Sequence, residues 1–258
     1  MQAKALPVYL PDLNQWFDQK QLVAAADIGG TKTAIALYEV QQHKFTCLEE
    51  RVYPSGEYTS FLDLLGEFIQ ATRLPDKISI GIAGPVLHGK AEATNLSWVV
   101  DRQEIMQKLN IIHVSLLNDL EANAYGLAAL KPEELITLYS GKNKGEGNAA
   151  VISAGTGLGE AGLYWDGKHY HPFPTEGGHT DFAPRTETDV ALYQYLRMKW
   201  DHVSWERVIS GPGIYNIYSF LRDSLKREEP LALAEAIKAG DPPRVSAPTP
   251  WKRKHLSV

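Results

Sequence analysis

Apolar and polar positions alternate along this chain in short blocks that predict interleaved strands and helices. Leu22 to Ala26 is an apolar run that stops at Asp27, and after Ile28-Gly29-Gly30-Thr31-Lys32-Thr33 it resumes as Ala34-Ile35-Ala36-Leu37-Tyr38. That pattern reads as strand, glycine turn, strand. Between Tyr58 and Arg73 the apolar residues Phe61, Leu64, Leu65, Phe68 and Ile69 fall at helical spacing, and Ile78 to Ala83 then alternates as a strand ending in Gly84-Pro85. A further apolar run, Ile111 to Leu117, ends at Asn118-Asp119 just before Leu120 to Leu127, which has helical composition. An Asn-Asp pair at such a junction suits capping, because these side chains accept the free amides of a first helical turn.

The opening pattern returns. A polar, glycine-rich loop over 140–148 leads to Ala149–Ala154, then to Gly155-Thr156-Gly157-Leu158-Gly159, then to Glu160–Trp165. The distance from Gly30-Thr31 to Leu37-Tyr38 is nearly that from Gly155-Thr156 to Leu163-Tyr164, which suggests two similar halves. Beyond lie the loop Thr175-Glu176-Gly177-Gly178-His179 and helix-like stretches over 187–200, 214–227 and 230–239, the last opened by Pro230 and closed by Gly240. These blocks divide the chain into an N-terminal leader (1–21), a smaller α/β domain (22–130), a larger α/β domain (131–241) and a tail (242–258).

Composition narrows the function. With 258 residues, 44% of them hydrophobic and 22% charged, the chain can build one large or two modest cores. A formal net charge of -5 offers no basic field for a phosphate backbone, so the expected partner is a small molecule and not nucleic acid. Cys47 is the only cysteine, which excludes an internal disulfide and a thiolate-built zinc site and fits a cytoplasmic location. The leader carries prolines and charges where a signal peptide needs an unbroken apolar run, and no stretch approaches membrane-spanning length, so no membrane association is expected.

Several segments could carry chemistry. Asp27 to Thr33 places a carboxylate beside a turn whose amides could converge on phosphate, with Thr31 and Lys32 as added donors and Asp27 positioning magnesium. A plain Gly-Gly hairpin is the other reading. Gly155-Thr156-Gly157-Leu158-Gly159 offers a second set of amides with the same structural alternative, and a Walker-type loop is absent. Two matching turns are what a nucleotide triphosphate gripped from both sides would require. Asp119 could act as general base on a sugar hydroxyl, or Asn118-Asp119 could simply cap the following helix. Glu176 and His179 could bind vicinal hydroxyls; one His and one acid are too few for a closed metal site. Glu206 is a third acid that, taken alone, reads as a solvated first-turn glutamate.

Taken in order, DIGGTKT, GIAGPV, TNLSW, LLNDLEANAYG, AGTGLG, TEGGHTDFAP and HVSWERVISGPG resemble the bacterial glucokinase family, within the superfamily of sugar kinases, actin and Hsp70. The resemblance covers about Leu22 to Asp241. It implies an α/β, two-domain actin-like ATPase (ribonuclease H-like) fold of repeated mixed sheets flanked by helices, with glucose between the domains. Residue by residue it implies Asp119 as catalytic base on the 6-hydroxyl and Asn118, Glu176, His179 and Glu206 on glucose hydroxyls, with Asn95 close by. It further implies Gly29, Gly30, Thr31 and Lys32 on phosphate from one side, Gly155, Thr156 and Gly157 from the other, and Asp27 on Mg2+. ATP and glucose are then the substrates and a homodimer the implied assembly. With only Cys47 present, the chain resembles the zinc-free branch and not the repressor-related sugar kinases that carry a cysteine-rich motif.

Members of that family continue through further helices and a glycine-rich adenosine-binding loop. Here the sequence after Asp241 reads PPRVSAPTPWKRKHLSV, basic, proline-rich and without apolar periodicity. The resemblance therefore implies a second domain that is incomplete at its C-terminus, for which a shifted reading frame is one account and a functional basic tail another. The implied consequence is poor solubility or low kinase activity of the chain alone. A non-catalytic, sugar-binding regulator is the alternative function, although no helix-turn-helix pattern precedes Asp27.

Overall fold

The structure is a computed structural model of the 258-residue chain and describes residues 6–9, 19–41, 44–93, 96–139, 141, 147–240 and 242. Two compact units emerge: Met1–Val151 with Gly162–Pro174, and Ile152–Ala161 with Thr175–Val258. Of the leader, Val8 bridges Tyr170 and the Tyr9 amide donates to the Tyr170 carbonyl at 2.8 Å. Apart from Pro242, the 242–258 tail lies outside the described residues.

The first unit begins with β1 (Gln21–Ile28), β2 (Lys32–Gln41) and β3 (Lys44–Pro54), followed by helix α1 (Phe61–Ala71) and β4 (Lys77–Ile82). The short pair β5 (Lys90–Glu92) and β6 (Val99–Asp101) comes next, then α2 (Arg102–Leu109), β7 (His113–Asn118) and α3 (Asp119–Gly126). Five of these strands form one mixed sheet in the order β3-β2-β1-β4-β7. The β1–β2 and β2–β3 pairs are antiparallel, and β4 runs parallel to both β1 and β7.

Period-two burial explains how the sheet is covered. Ala24, Ala26 and Ile28 of β1 and Ile78, Ile80 and Ile82 of β4 share one face and pack with Phe61, Leu64, Leu65 and Phe68 of α1. Each such large side chain contributes about 1.5–3 kcal/mol when fully removed from water. Ser60 starts α1 by accepting the Asp63 amide at 3.1 Å. On the opposite face α3 lies close to the sheet, since a methyl group at Gly81 would be in ordinary contact with Ala122 Cβ at 3.4 Å and Asp119 Cα at 3.9 Å.

Strands β8 (Ala149–Ala154), β9 (Leu158–Trp165) and β10 (Tyr170–Thr175) form a three-stranded sheet in the order β10-β9-β8, in which the chain passes from one unit to the other within β8 and within β9, and β10 belongs to the first unit up to Pro174. Helices α4 (Glu187–Arg197), α5 (Gly211–Asp223) and α6 (Leu231–Ala239) follow. A core of Phe182, Leu192, Tyr195, Leu196, Val203 and Phe220 joins α4 and α5 to two extended segments, which pair through Phe182 N–H to Val203 O at 2.9 Å and Trp205 N–H to Thr180 O at 3.0 Å. The helix expected from Ile214 begins instead at Gly211, because Ser210 caps it by accepting the Gly213 amide at 2.9 Å.

Candidate functional site

Register brings the acidic segments of the first unit together. Across the parallel strands Asp27 is level with Gly81 and Leu117, and Ile28 with Ile82 and Asn118, so the Gly29–Lys32 turn and the start of α3 leave the same end of the sheet. Ligands of open α/β sheets bind beyond the carboxyl ends of such strands. Since Ala24, Ala26 and Ile28 face α1, Asp27 faces the other way, on the side where Gly81 is next to α3 and its first residue, Asp119.

Asn118 is a buried N-cap. Its Oδ1 accepts the amides of Leu120 at 3.0 Å and Glu121 at 3.2 Å, while its Nδ2 donates to the Gly84 carbonyl at 3.1 Å, tying the end of β7 to the end of β4. Capping, expected from the sequence, is what the side chain does here. Asp119, half-buried at the first helical position, accepts the Leu120 amide at 2.9 Å through Oδ1. Burial holds its carboxyl above the ordinary value; the Leu120 amide pulls it back down and the negative charge of Asp27 pushes it further up. Burial likewise raises Asp27, although that residue retains a solvent-exposed side.

The first glycine turn is closed by Gly29 N–H donating to Lys32 O at 3.0 Å. A side chain at Gly29 would lie 2.8 Å from that same carbonyl oxygen, which is why glycine is needed. The Gly29 amide is thus engaged within the turn, and Thr31 and Lys32 are exposed.

The second unit gathers its own set. Gly155 N–H donates to Gly157 O at 2.8 Å, closing the turn between β8 and β9, while the Gly155 carbonyl accepts Gly211 N–H from the start of α5 at 2.8 Å. Glu206 Oε2 accepts Leu158 N–H at 3.0 Å and would lie 2.6 Å from a methyl group at Gly157. Its carboxylate is therefore fixed against the glycine turn and is not the free first-turn glutamate that was the alternative. Ser210 Oγ holds the Glu206 carbonyl at 2.7 Å. Gly178 packs on the same strand, since a methyl group there would fall 2.0 Å from Leu158 O. Glu176 and His179 flank it, with Oε2 and Nε2 3.8 Å apart and both side chains 60% exposed.

Of the residues singled out in the sequence, Asp27, Gly29, Gly30, Thr31, Lys32, Asn118 and Asp119 thus share one end of the first unit's sheet. Gly155, Thr156, Gly157, Glu176, His179 and Glu206 share one end of the second unit, held by backbone bonds. Asn95 lies outside the described residues. Sequence reasoning missed Ser55, buried beneath the first turn, whose serine within Pro54-Ser55-Gly56 reads as ordinary turn chemistry. It also missed Glu160, whose Oε2 would lie 2.0 Å from a methyl group on Gly177. Among the described residues no group of three or more His, Cys, Asp or Glu is arranged to hold a metal ion by itself, and no helix is long and apolar enough to cross a membrane.

A family model described as glucokinase matches residues 24–243. The chain belongs to the glucokinase family. A glucokinase of Nostoc sp. is 41% identical over 223 residues, 84% of this chain and 65% of the relative, and one of Synechocystis sp. is 36% identical over 220 residues, 80% of this chain and 62% of the relative. The chain therefore spans less than two thirds of these glucokinases. Among solved structures, a glucokinase from an Antarctic psychrotroph superposes with a TM-score of 0.71 at 27% identity, covering 88% of this chain and 74% of that one. The glucokinase of Balamuthia mandrillaris, solved in complex with glucose, gives 0.65 at 21% identity, covering 81% and 65%, a likeness of fold. The fold is that of the actin-like ATPases, to which glucokinases and hexokinases belong.

Proposed function

We propose that this chain carries out glucokinase chemistry, transferring the γ-phosphoryl group of ATP to the 6-hydroxyl of glucose and yielding glucose 6-phosphate, the first step of glycolysis, in the cytoplasm. The observation that carries the reading is the placement of Asp119. It begins a helix at the carboxyl end of a parallel strand, beside Asp27, with a carboxyl raised chiefly by burial. A raised carboxylate is a better proton acceptor for an alcohol than a fully hydrated one.

In this reading Asp119 takes the proton from the 6-hydroxyl as that oxygen attacks the γ-phosphorus and the bond to ADP breaks. Glu176, His179 and Glu206 hold sugar hydroxyls. Asn118 acts first by fixing the start of α3 and belongs with them to the sugar set, which Asn95 completes. The exposed parts of the two turns, Gly30, Thr31 and Lys32 in the first unit and Thr156 and Gly157 in the second, are donors to phosphate oxygens. The donor set near the phosphates fits Mg2+, a hard ion that takes one or two carboxylates and completes its shell with phosphate and water; Asp27 would hold it, and it would supply neutralisation of phosphate charge. Positioning and charge neutralisation then account for the rate. A homodimer belongs to the same proposal.

The test is a coupled glucose 6-phosphate assay on the 258-residue chain and on Asp119→Ala. We expect Asp119→Ala to reduce the glucose- and ATP-dependent turnover of the chain, whatever its level, by at least about a thousandfold, the upper part of the general-base range, with glucose affinity changed far less. Turnover of the variant at the wild-type rate would remove Asp119 as base.

A further inference from the structure

Ser55 follows β3 and lies beneath the Gly29–Lys32 turn. It and Thr33 are completely buried polar residues, each at 0% exposure. Ser55 Oγ donates to the Gly29 carbonyl at 2.8 Å and lies 2.9 Å from Thr33 Oγ1, while the Ser55 amide donates to the Thr31 carbonyl at 3.0 Å. A serine hydroxyl has one hydrogen. Since that hydrogen goes to Gly29, Thr33 must be the donor in the Thr33–Ser55 bond, and the three groups form a one-way chain from Thr33 through Ser55 to Gly29. Such chains strengthen each member by polarisation.

Anchoring that carbonyl has a consequence for the next amide. The described chain has no cis peptide bond, and in a trans peptide the C=O and the following N–H point in opposite directions. Holding Gly29 C=O down on Ser55 therefore turns Gly30 N–H up and out of the turn. Glycine on both sides of a peptide makes its rotation easy, and a rotated peptide would present a carbonyl oxygen to phosphate instead of a donor.

We propose that Ser55 is a positioning residue for phosphoryl transfer, its hydroxyl fixing the Gly29–Gly30 peptide so that Gly30 N–H meets a phosphate oxygen. The inference rests on the reading of this turn as a triphosphate site. Ser55→Ala removes the donor to Gly29, whereas Thr33→Val leaves the Ser55-to-Gly29 bond in place and serves as the control for a damaged buried pair.

The experiment titrates magnesium tripolyphosphate into the full 258-residue chain and the two variants by calorimetry, with urea unfolding of each and amide exchange at Gly30 measured without ligand. Both variants should lose similar stability. Ser55→Ala should bind tripolyphosphate about tenfold more weakly, as expected for one lost donor to a charged oxygen, and Thr33→Val within about threefold of wild type on the same scale. Faster Gly30 exchange is expected in Ser55→Ala alone. Equal weakening in both variants, or unchanged binding in Ser55→Ala, overturns the inference while the phosphate reading stands. Absence of tripolyphosphate binding by the wild-type chain overturns the phosphate reading itself, and Gly30 exchange then judges the anchor, with an unchanged rate in Ser55→Ala overturning it.

Discussion

Gly178→Ala places one methyl group where the structure has no room for it. The added carbon would lie 2.0 Å from the Leu158 carbonyl oxygen, 3.0 Å from its carbon and 3.1 Å from its Cβ. No left-handed backbone is involved, so space alone is at stake. Relief requires Leu158 or the 176–179 turn to retreat by well over an ångström. Leu158 is held by Glu206 through its amide at 3.0 Å, and the turn is closed by His179 N–H on Glu176 O at 3.0 Å. Overpacking of this kind costs about 1–3 kcal/mol, and losing a hydrogen bond to a charged group adds about 1.5–3 kcal/mol. A combined loss of about 2.5–6 kcal/mol is a large part of the roughly 5–15 kcal/mol by which an ordinary domain is stable. Urea unfolding followed by tryptophan fluorescence measures it, Trp205 reporting directly because its ring packs edge-on against Phe182 at 5.0 Å. A loss under about 1 kcal/mol, below the overpacking range, with an unchanged denaturant slope would refute the claim that strand and turn are locked together.

Two further outcomes follow from the same geometry. Gly66, inside α1 with nothing within 4 Å of an added methyl group, should become alanine with a gain of about 0.8–1 kcal/mol in the same unfolding assay; a loss would mean that α1 packs differently. Asp27→Asn should stabilise the fold at neutral pH while lowering turnover, because burial raises the Asp27 carboxyl. The native state then holds more protons than the unfolded chain between the ordinary carboxylate value and the raised one. The contribution of Asp27 to wild-type stability accordingly falls as pH rises through that window, and Asp27→Asn should remove it, the contributions of Asp119 and Glu121, which have the same sign, remaining. A pH dependence of the unfolding midpoint identical in the variant and the wild type would contradict it.

The legible parts of this chain are those whose signal is local. Phe61, Leu64, Leu65 and Phe68 announce α1 because a single face of that helix is buried, and Asn118 announces α3 because an N-cap acts on amides two and three residues away. By contrast β3 is an edge strand in which exposed Phe45, Leu48 and Val52 mingle with Glu49, Glu50 and Arg51, so no alternation survives, and pairing with β2 decides its conformation. Helix α2 buries only Ile105 and shows no apolar stripe, although its Asp101 cap and the left-handed Asn110 at its end were readable signals. Within the candidate site, residue types were legible and partnerships were not. Glu206 meets Leu158 across 48 residues, and Ser55 meets Gly29 across 26.

The irregularity between Leu37 and Tyr38, where β3 advances by one extra residue past β2, separates the outer stretch of that ribbon from the stretch ending at Ser55. Sliding the inner stretch by a single step would bring Pro54 or Gly56 beneath the glycine pair, and neither has a hydroxyl. An extra residue absorbed midway lets the outer stretch vary in length without disturbing the inner alignment. The serine's place below the loop is thus set by the inner alignment alone.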